Sequence, residues 1–193
     1  DPPFRLAGYS LGSRIALALA VEHPRLVERL WLIGVNPGLE RCGLEARRKL
    51  ESRWIELLRR EGLGAFLAYW RRLPLFESQS ALPTSRRAAQ EKMREGHDPE
   101  QLARSIETLG LAAMPDYTSR LAEINVPVRL IVGEKDQKFR SIAEGMRPLL
   151  RDGQLLIVPG AGHNPLLECP RELGRILEEE EIRAHRRGFL GDR

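Results

Sequence analysis

Cysteine is scarce in this sequence: Cys42 and Cys169 are the only two in 193 residues. They stand apart, with neither C-x-x-C nor ligand-like spacing, so they carry no redox or metal signal and suit a reducing compartment. Histidine is limited to four positions, and no His/Cys/carboxylate cluster implies a metal or another cofactor. Long apolar runs are missing as well. No stretch approaches the roughly 20 residues needed to cross a bilayer. Asp1-Pro2-Pro3-Phe4 is not the charged, then apolar, opening of a signal peptide. A cytoplasmic protein without a membrane partner is therefore expected. The basic excess is small, 31 Lys and Arg against 27 Asp and Glu for a net charge of +4, and its arginines are scattered along the chain. Without a Lys/Arg block nucleic acid is not an expected partner. The same arginines suit a small anionic substrate, because the planar guanidinium pairs bidentately with carboxylates.

What is present is an ordinary globular balance, 42% hydrophobic and 30% charged, enough for one sizeable core. Phe4 to Tyr9 reads as a buried strand and Gly12 to Glu22 as a helix ended near His23-Pro24. Leu30 to Gly34 reads as a second buried strand, closed by Asn36-Pro37-Gly38. From 39 to 117 only helical periods occur, at Arg53 to Arg60, Leu63 to Trp70, Ser85 to Arg94 and Glu100 to Leu111, and this stretch is expected to form a helical lid. The strand VRLIV at 128–132, a helix over Ile142 to Leu150, the strand QLLIV at 154–158 and an amphipathic helix over 170–181 follow. This alternation predicts α/β architecture with a parallel sheet. The expected organisation is core at 1–38, lid at 39–117 and core again at 118–193. The charge-dense stretch 178–193 is expected to fray into solvent. The chain opens without Met, almost directly on a strand, which predicts that a segment upstream is missing.

Gly8-Tyr9-Ser10-Leu11-Gly12 lies at the junction of the first strand and helix. It matches the nucleophile elbow G-x-S-x-G, in which small residues let strand and helix approach while the serine hydroxyl projects. Such a serine needs a base and an orienting carboxylate, in the chain order Ser, Asp or Glu, His. Asp136 follows VRLIV, and His163 follows QLLIV within Pro159-Gly160-Ala161-Gly162-His163. Both fall at the carboxyl ends of strands, where open α/β sheets build their sites. Glu134 is the nearer rival to Asp136, with Asp116 and Asp152 more remote. His23, His97 and His185 read as solvated or structural. The Leu11 N–H, at the start of the helix, is expected to donate to an oxyanion.

Five segments carry a narrower resemblance: GYSLGSRIALALA from Gly8, NPGL at Asn36 to Leu39, YWRRLPLFESQ, GEKDQKFR around Asp136 and PGAGHNPLLECP around His163. In these the chain resembles the 2-succinyl-6-hydroxy-2,4-cyclohexadiene-1-carboxylate synthases of menaquinone biosynthesis. The resemblance implies an α/β-hydrolase fold with a helical lid. It implies lyase chemistry in which Ser10, held by His163 and Asp136, serves as a base that takes a proton beside a succinyl ketone, after which pyruvate is expelled. It also implies that Arg14, Arg48 and Arg94 bind the carboxylates of the substrate and that Tyr9, Trp70 and Phe76 shape the pocket. Ser13 stands where the family often has a second glycine. Roughly 70 to 80 further residues are implied upstream, with the first strands and the second oxyanion donor. Two other readings remain open: an ester or thioester hydrolase with Ser10 as nucleophile, because the triad alone does not fix the reaction, and a truncated product that does not catalyse.

Overall fold

The computed structural model describes residues 3–191, with side chains through Ile182. Four parallel strands form one sheet in the order β1-β2-β3-β4, namely Phe4–Tyr9, Val27–Ile33, Val128–Gly133 and Gly153–Val158. Leu6 pairs with Leu30, Leu30 with Val128, and Val128 with Gly153. Parallel neighbours need crossovers, and each is helical. Helix α1 (Leu11–Glu22) joins β1 to β2. Helices α2 (Arg41–Arg60), α3 (Gly62–Trp70), α4 (Thr84–Glu95) and α5 (Pro99–Leu109) lie between β2 and β3. Helix α6 (Gln137–Met146) joins β3 to β4, and the short α7 (Pro165–Glu168) and long α8 (Pro170–Gly191) follow β4.

Both faces of the sheet are covered, which is why β2 and β3 read as continuous apolar runs. On one face Leu17, Ala20 and Val21 of α1 and Phe139, Ala143 and Met146 of α6 pack on Leu30, Leu32, Leu130 and Val132. On the other, Leu173 of α8 meets Trp31, Ile33, Ile131 and Val158, with Ile176 and Leu177 beside them. Helices α2, α3 and α5 gather a separate apolar cluster, Trp54, Leu58, Phe66, Leu67 and Ala103. The inserted helices thus bury side chains among themselves and leave the carboxyl edge of the sheet to their loops.

Several boundaries differ from expectation. Strand β1 is an edge strand, and Phe4, Arg5 and Ala7 are exposed rather than buried, because only β2 pairs with it among the described residues. Helix α2 begins at Arg41, twelve residues before the apolar period seen in the sequence. Its first turns are too polar to show one. Helix α6 starts at Gln137 because the Asp136 side chain accepts the Phe139 N–H at its N-terminus. Residues 178–191 do not fray. Helix α8 continues through them, and Glu180 is 3% exposed, its carboxylate 2.6 Å from Arg129 Nε of β3. Residues 192–193 lie outside the described residues. Among those described, no helix is long and apolar enough to cross a membrane.

Leu130 is fully buried where β3 meets α1 and α6. Leu130→Ala is expected to lower stability by about 2–5 kcal/mol, since the rigid layers on both sides close only partly on the cavity. Chemical denaturation followed by circular dichroism measures it.

Candidate active site

The three expected residues emerge together at the carboxyl edge. Ser10 follows β1, Asp136 follows β3 and His163 follows β4. His163 Nδ1 lies 2.7 Å from Asp136 Oδ2, and its Nε2 lies 3.2 Å from Ser10 Oγ. The carboxylate contact assigns the proton to Nδ1 and leaves the Nε2 lone pair facing the serine hydroxyl. Asp136 and His163 are both buried, so the charge that develops on the imidazole when it accepts a proton has its counter-ion in contact. The rivals are engaged elsewhere. Glu134 accepts the Gly160 N–H, Asp116 accepts from Thr118, and Asp152 pairs with Arg129.

Ser10 has φ 50° and ψ −109°, and among the described residues no other non-glycine has positive φ. That sparsely populated conformation costs of order 1–3 kcal/mol and persists only where surroundings impose it. Here they do. The Ser10 N–H donates to Ile33 O at 2.8 Å, tying the turn to the end of β2. Ser13, buried in α1, places its hydroxyl 2.6 Å from Gly8 O and 2.8 Å from Ile33 O, so the residue that departs from the family pattern braces the turn. Gly8 is required by contact, since a Cβ there would stand 2.4 Å from Gly12 O. Leu11 opens α1, its N–H at the positive end of the helix.

The remaining expected residues fall into two groups. Tyr9 is tilted against His163 at 5.5 Å between ring centres. Burial pushes its hydroxyl well above the ordinary value, Glu168 adds to the shift and Arg94 opposes it. Arg94 lies 5.2 Å from the centre of the Phe76 ring and bonds Glu91. Trp70 touches Phe76 and also packs on Trp54 and Phe66, so one side of it belongs to the helical cluster. Arg14 donates to Leu109 O at 2.9 Å, and its Nη1 is buried with no hydrogen-bond partner among the described residues. Burial first, and Arg47 second, lower its pKa to about 10. Arg48 is exposed on α2. The neighbouring Arg47, about 100° around the helix, is the one that turns inward, pairing with buried Glu51 at 2.7 Å and lying over the Trp54 ring. Of the other histidines, His23 and His97 are exposed, and the side chain of His185 lies outside the described residues.

Three residues that sequence reasoning passed over shape the site. Gly34, at the end of β2 with φ 60°, passes so close to the imidazole that a Cβ would meet His163 Cε1 at 2.9 Å. The Phe139 ring lies 4.3 Å from the His163 ring. Glu168 accepts backbone N–H groups on both sides of His163. A glycine directly after a strand and a carboxylate five residues after the histidine are visible in the sequence, although their contacts are not. A cleft of about 250 Å³ opens on the Asp136 side of His163, lined by Pro74, Leu75, Glu77, Ser78, Lys135 and Gly162. Among the described residues no group of His, Cys, Asp or Glu is placed to hold a metal ion.

An α/β-hydrolase family profile matches residues 1–176, nearly the whole of this arrangement. The chain belongs to the α/β-hydrolase family. It is 38% identical over 176 residues to a protein of Bacillus subtilis (strain 168) provisionally named 2-succinyl-6-hydroxy-2,4-cyclohexadiene-1-carboxylate synthase. It is 32% identical over 177 residues to the synthase of that name from Enterobacter sp. (strain 638). These alignments cover 91% of the chain in both cases and 64% and 66% of the relatives, so the chain spans about two thirds of their length. Among solved structures, MenH from S. aureus superposes with a TM-score of 0.88 at 30% identity, covering 90% of this chain and 66% of that one. A thermophilic esterase from Thermogutta terrifontis gives 0.73 at 27% identity, covering 93% and 65%.

In Gly34→Ala the added methyl must displace the His163 ring or the β2 end, and the left-handed backbone there costs alanine about 1–2 kcal/mol. The expected outcome is a folded protein whose Ser10 reacts with a fluorophosphonate about tenfold or more slowly. Labelling followed by mass spectrometry reads it.

Proposed function

We propose that the full-length protein is a 2-succinyl-6-hydroxy-2,4-cyclohexadiene-1-carboxylate synthase, a carbon–oxygen lyase that eliminates pyruvate from 2-succinyl-5-enolpyruvyl-6-hydroxy-3-cyclohexene-1-carboxylate in menaquinone biosynthesis. The observation that carries the reading is the ordered contact of Ser10, His163 and Asp136, in a chain whose relatives bear that name and which sets Arg94 beside Tyr9 and Phe76. Ser10, His163 and Asp136 are the catalytic triad in this reading. His163 Nε2 takes the Ser10 proton as Ser10 Oγ removes a proton beside the succinyl ketone. The electron pair left on carbon moves through the enolate and breaks the C–O bond to the enolpyruvyl group. The released enolpyruvate collects a proton and becomes pyruvate. No water is consumed and no acyl group reaches the serine. The Leu11 N–H, at the head of α1, faces the developing enolate oxygen, where a fixed dipole favours negative charge.

The substrate in this reading is a small polycarboxylate, and the arginines match it. Arg14 has a buried nitrogen without a hydrogen-bond partner among the described residues and a pKa lowered to about 10 by burial and by Arg47; a carboxylate beside it relieves both. Arg94 stands at the Tyr9 and Phe76 wall. The exposure of Arg48 moves the α2 contact to Arg47. The helical insertion serves as the lid, and cytoplasmic location follows from the pathway.

A hydrolase of esters or thioesters is the second reading, favoured by the likeness to an esterase structure. Pyruvate release from the enolpyruvyl substrate, with a neutral ester as control, separates the two. The expected result is rapid release that disappears in Ser10→Ala. Arg14→Ala and Arg94→Ala are each expected to raise KM for the polyanion about 10- to 100-fold, the value of a lost charge-assisted hydrogen bond, while turnover of a neutral ester stays within a few-fold. Ester turnover without pyruvate release selects the hydrolase.

A further inference from the structure

We infer that Glu168 is a positioning residue for His163, acting through the backbone on either side of it; the inference rests on the reading above only in taking Ser10 and His163 as the reactive pair. Glu168 ends α7, and its two carboxylate oxygens are divided between two donors. Oε2 accepts the Gly162 N–H at 2.7 Å and Oε1 accepts the Asn164 N–H at 3.0 Å. These are the residues immediately before and after the histidine. Charge-assisted bonds of this kind are shorter and roughly twice as strong as neutral ones, and a planar carboxylate bridging two N–H groups fixes their separation and direction together.

The segment has little other freedom. A Cβ on Gly162 would stand 2.0 Å from Ser78 Oγ and 2.9 Å from Glu168 Oε2, so the Gly162 backbone is already pressed against the carboxylate and the segment Pro74–Ala81 between α3 and α4. Asp136 holds Nδ1 of the ring, and the Phe139 and Tyr9 rings lie tilted against it. What these contacts do not fix is the origin of the side chain. That origin decides whether Nε2 reaches Ser10 Oγ, and at 3.2 Å the contact is at the long end of the useful range. A shift of a few tenths of an ångström in the His163 backbone breaks it. Glu168 also acts on the neighbouring Tyr9, where its charge adds to burial in keeping the phenol protonated.

Glu168→Gln keeps the size of the side chain but turns an NH2 group toward one of the two backbone donors. Glu168→Asp keeps the charge but is one methylene too short to span both. The test uses the full-length protein and two readouts that need no enolpyruvyl substrate. One is the rate at which a fluorophosphonate modifies Ser10, where the Oγ–P bond forms, fluoride leaves and the hydroxyl proton passes to His163 Nε2. The other is the low-field proton resonance of His163 Nδ1. Glu168→Gln is expected to slow labelling about tenfold or more, to move its pH profile and to make the Nδ1 proton exchange faster. Glu168→Asp is expected to lie between it and wild type, and carries the same test alone if the glutamine variant does not fold. Labelling within twofold of wild type, with an unchanged resonance, overturns the inference whatever happens to the melting temperature. Labelling that depends on Glu168 in a protein that releases no pyruvate supports the inference and sinks the elimination reading.

Discussion

Everything at the site depends on one strained junction, the turn at Ser10 between β1 and α1. A residue at φ 50° and ψ −109° is stable only if the chain on both sides is held more strongly than the strain pushes back. The holding group is a single carbonyl, Ile33 O, which lies within hydrogen-bond distance of the Ser10 N–H and the Ser13 hydroxyl. Each full hydrogen bond contributes about 1 kcal/mol net; the Ser10 N–H makes one to Ile33 O, and the one Ser13 hydroxyl proton makes another, shared between Gly8 O and Ile33 O, so the two together are of the size needed. Ile33 is in turn placed by the β1–β2 register, in which it pairs with Tyr9. The serine is therefore aimed by the sheet itself, and a register change in these two strands would undo it.

The same logic extends across the edge. Strand β2 is followed directly by Gly34, whose lack of a side chain lets the imidazole lie over the strand end. Strand β3 delivers Asp136, which caps α6 through one oxygen and holds His163 through the other. Strand β4 delivers His163 on a loop clasped by Glu168. Four strand ends thus contribute a turn, a gap, a carboxylate and a base. Parallel strands make this possible because all of their carboxyl ends lie on one side.

Much of this was legible in the sequence, and the exceptions share a cause. Ser10, Asp136 and His163 were found because a strand end followed by a particular residue type is a local pattern. Glu134 was not separable from Asp136 that way, since the two differ by one turn of a loop, and only the Gly160 N–H reveals where Glu134 is spent. Arg48 rests on the resemblance alone, and the inward turn of Arg47 beside it is not legible because helical phase cannot be read where α2 opens with few apolar residues. The exposed outer face of β1 and the buried Glu180 were missed for a related reason. Apolar character in a strand says that burial is favourable and not that a neighbour supplies it, and a charge run reads as solvated until the sheet is seen to place Arg129 opposite it.

The relay does not distinguish elimination from ester hydrolysis, because both begin with His163 drawing the proton from Ser10. They differ in what lies opposite the oxygen. An acyl carbon must come within bonding distance of Oγ and water must follow it in, whereas an acidic C–H needs only to be held there while water is kept away. A polyanion fixed through its carboxylates meets the second demand, since charge-assisted contacts made far from the reacting carbon decide which atom faces the base. Arg14 and Arg94 sit on different elements, one on the elbow helix and one on the insertion, so a substrate that engages both joins the sheet to its cover. In the elimination reading, the charge that selects the substrate would also close the site over it, and binding itself would supply the dry, oriented pocket that elimination requires.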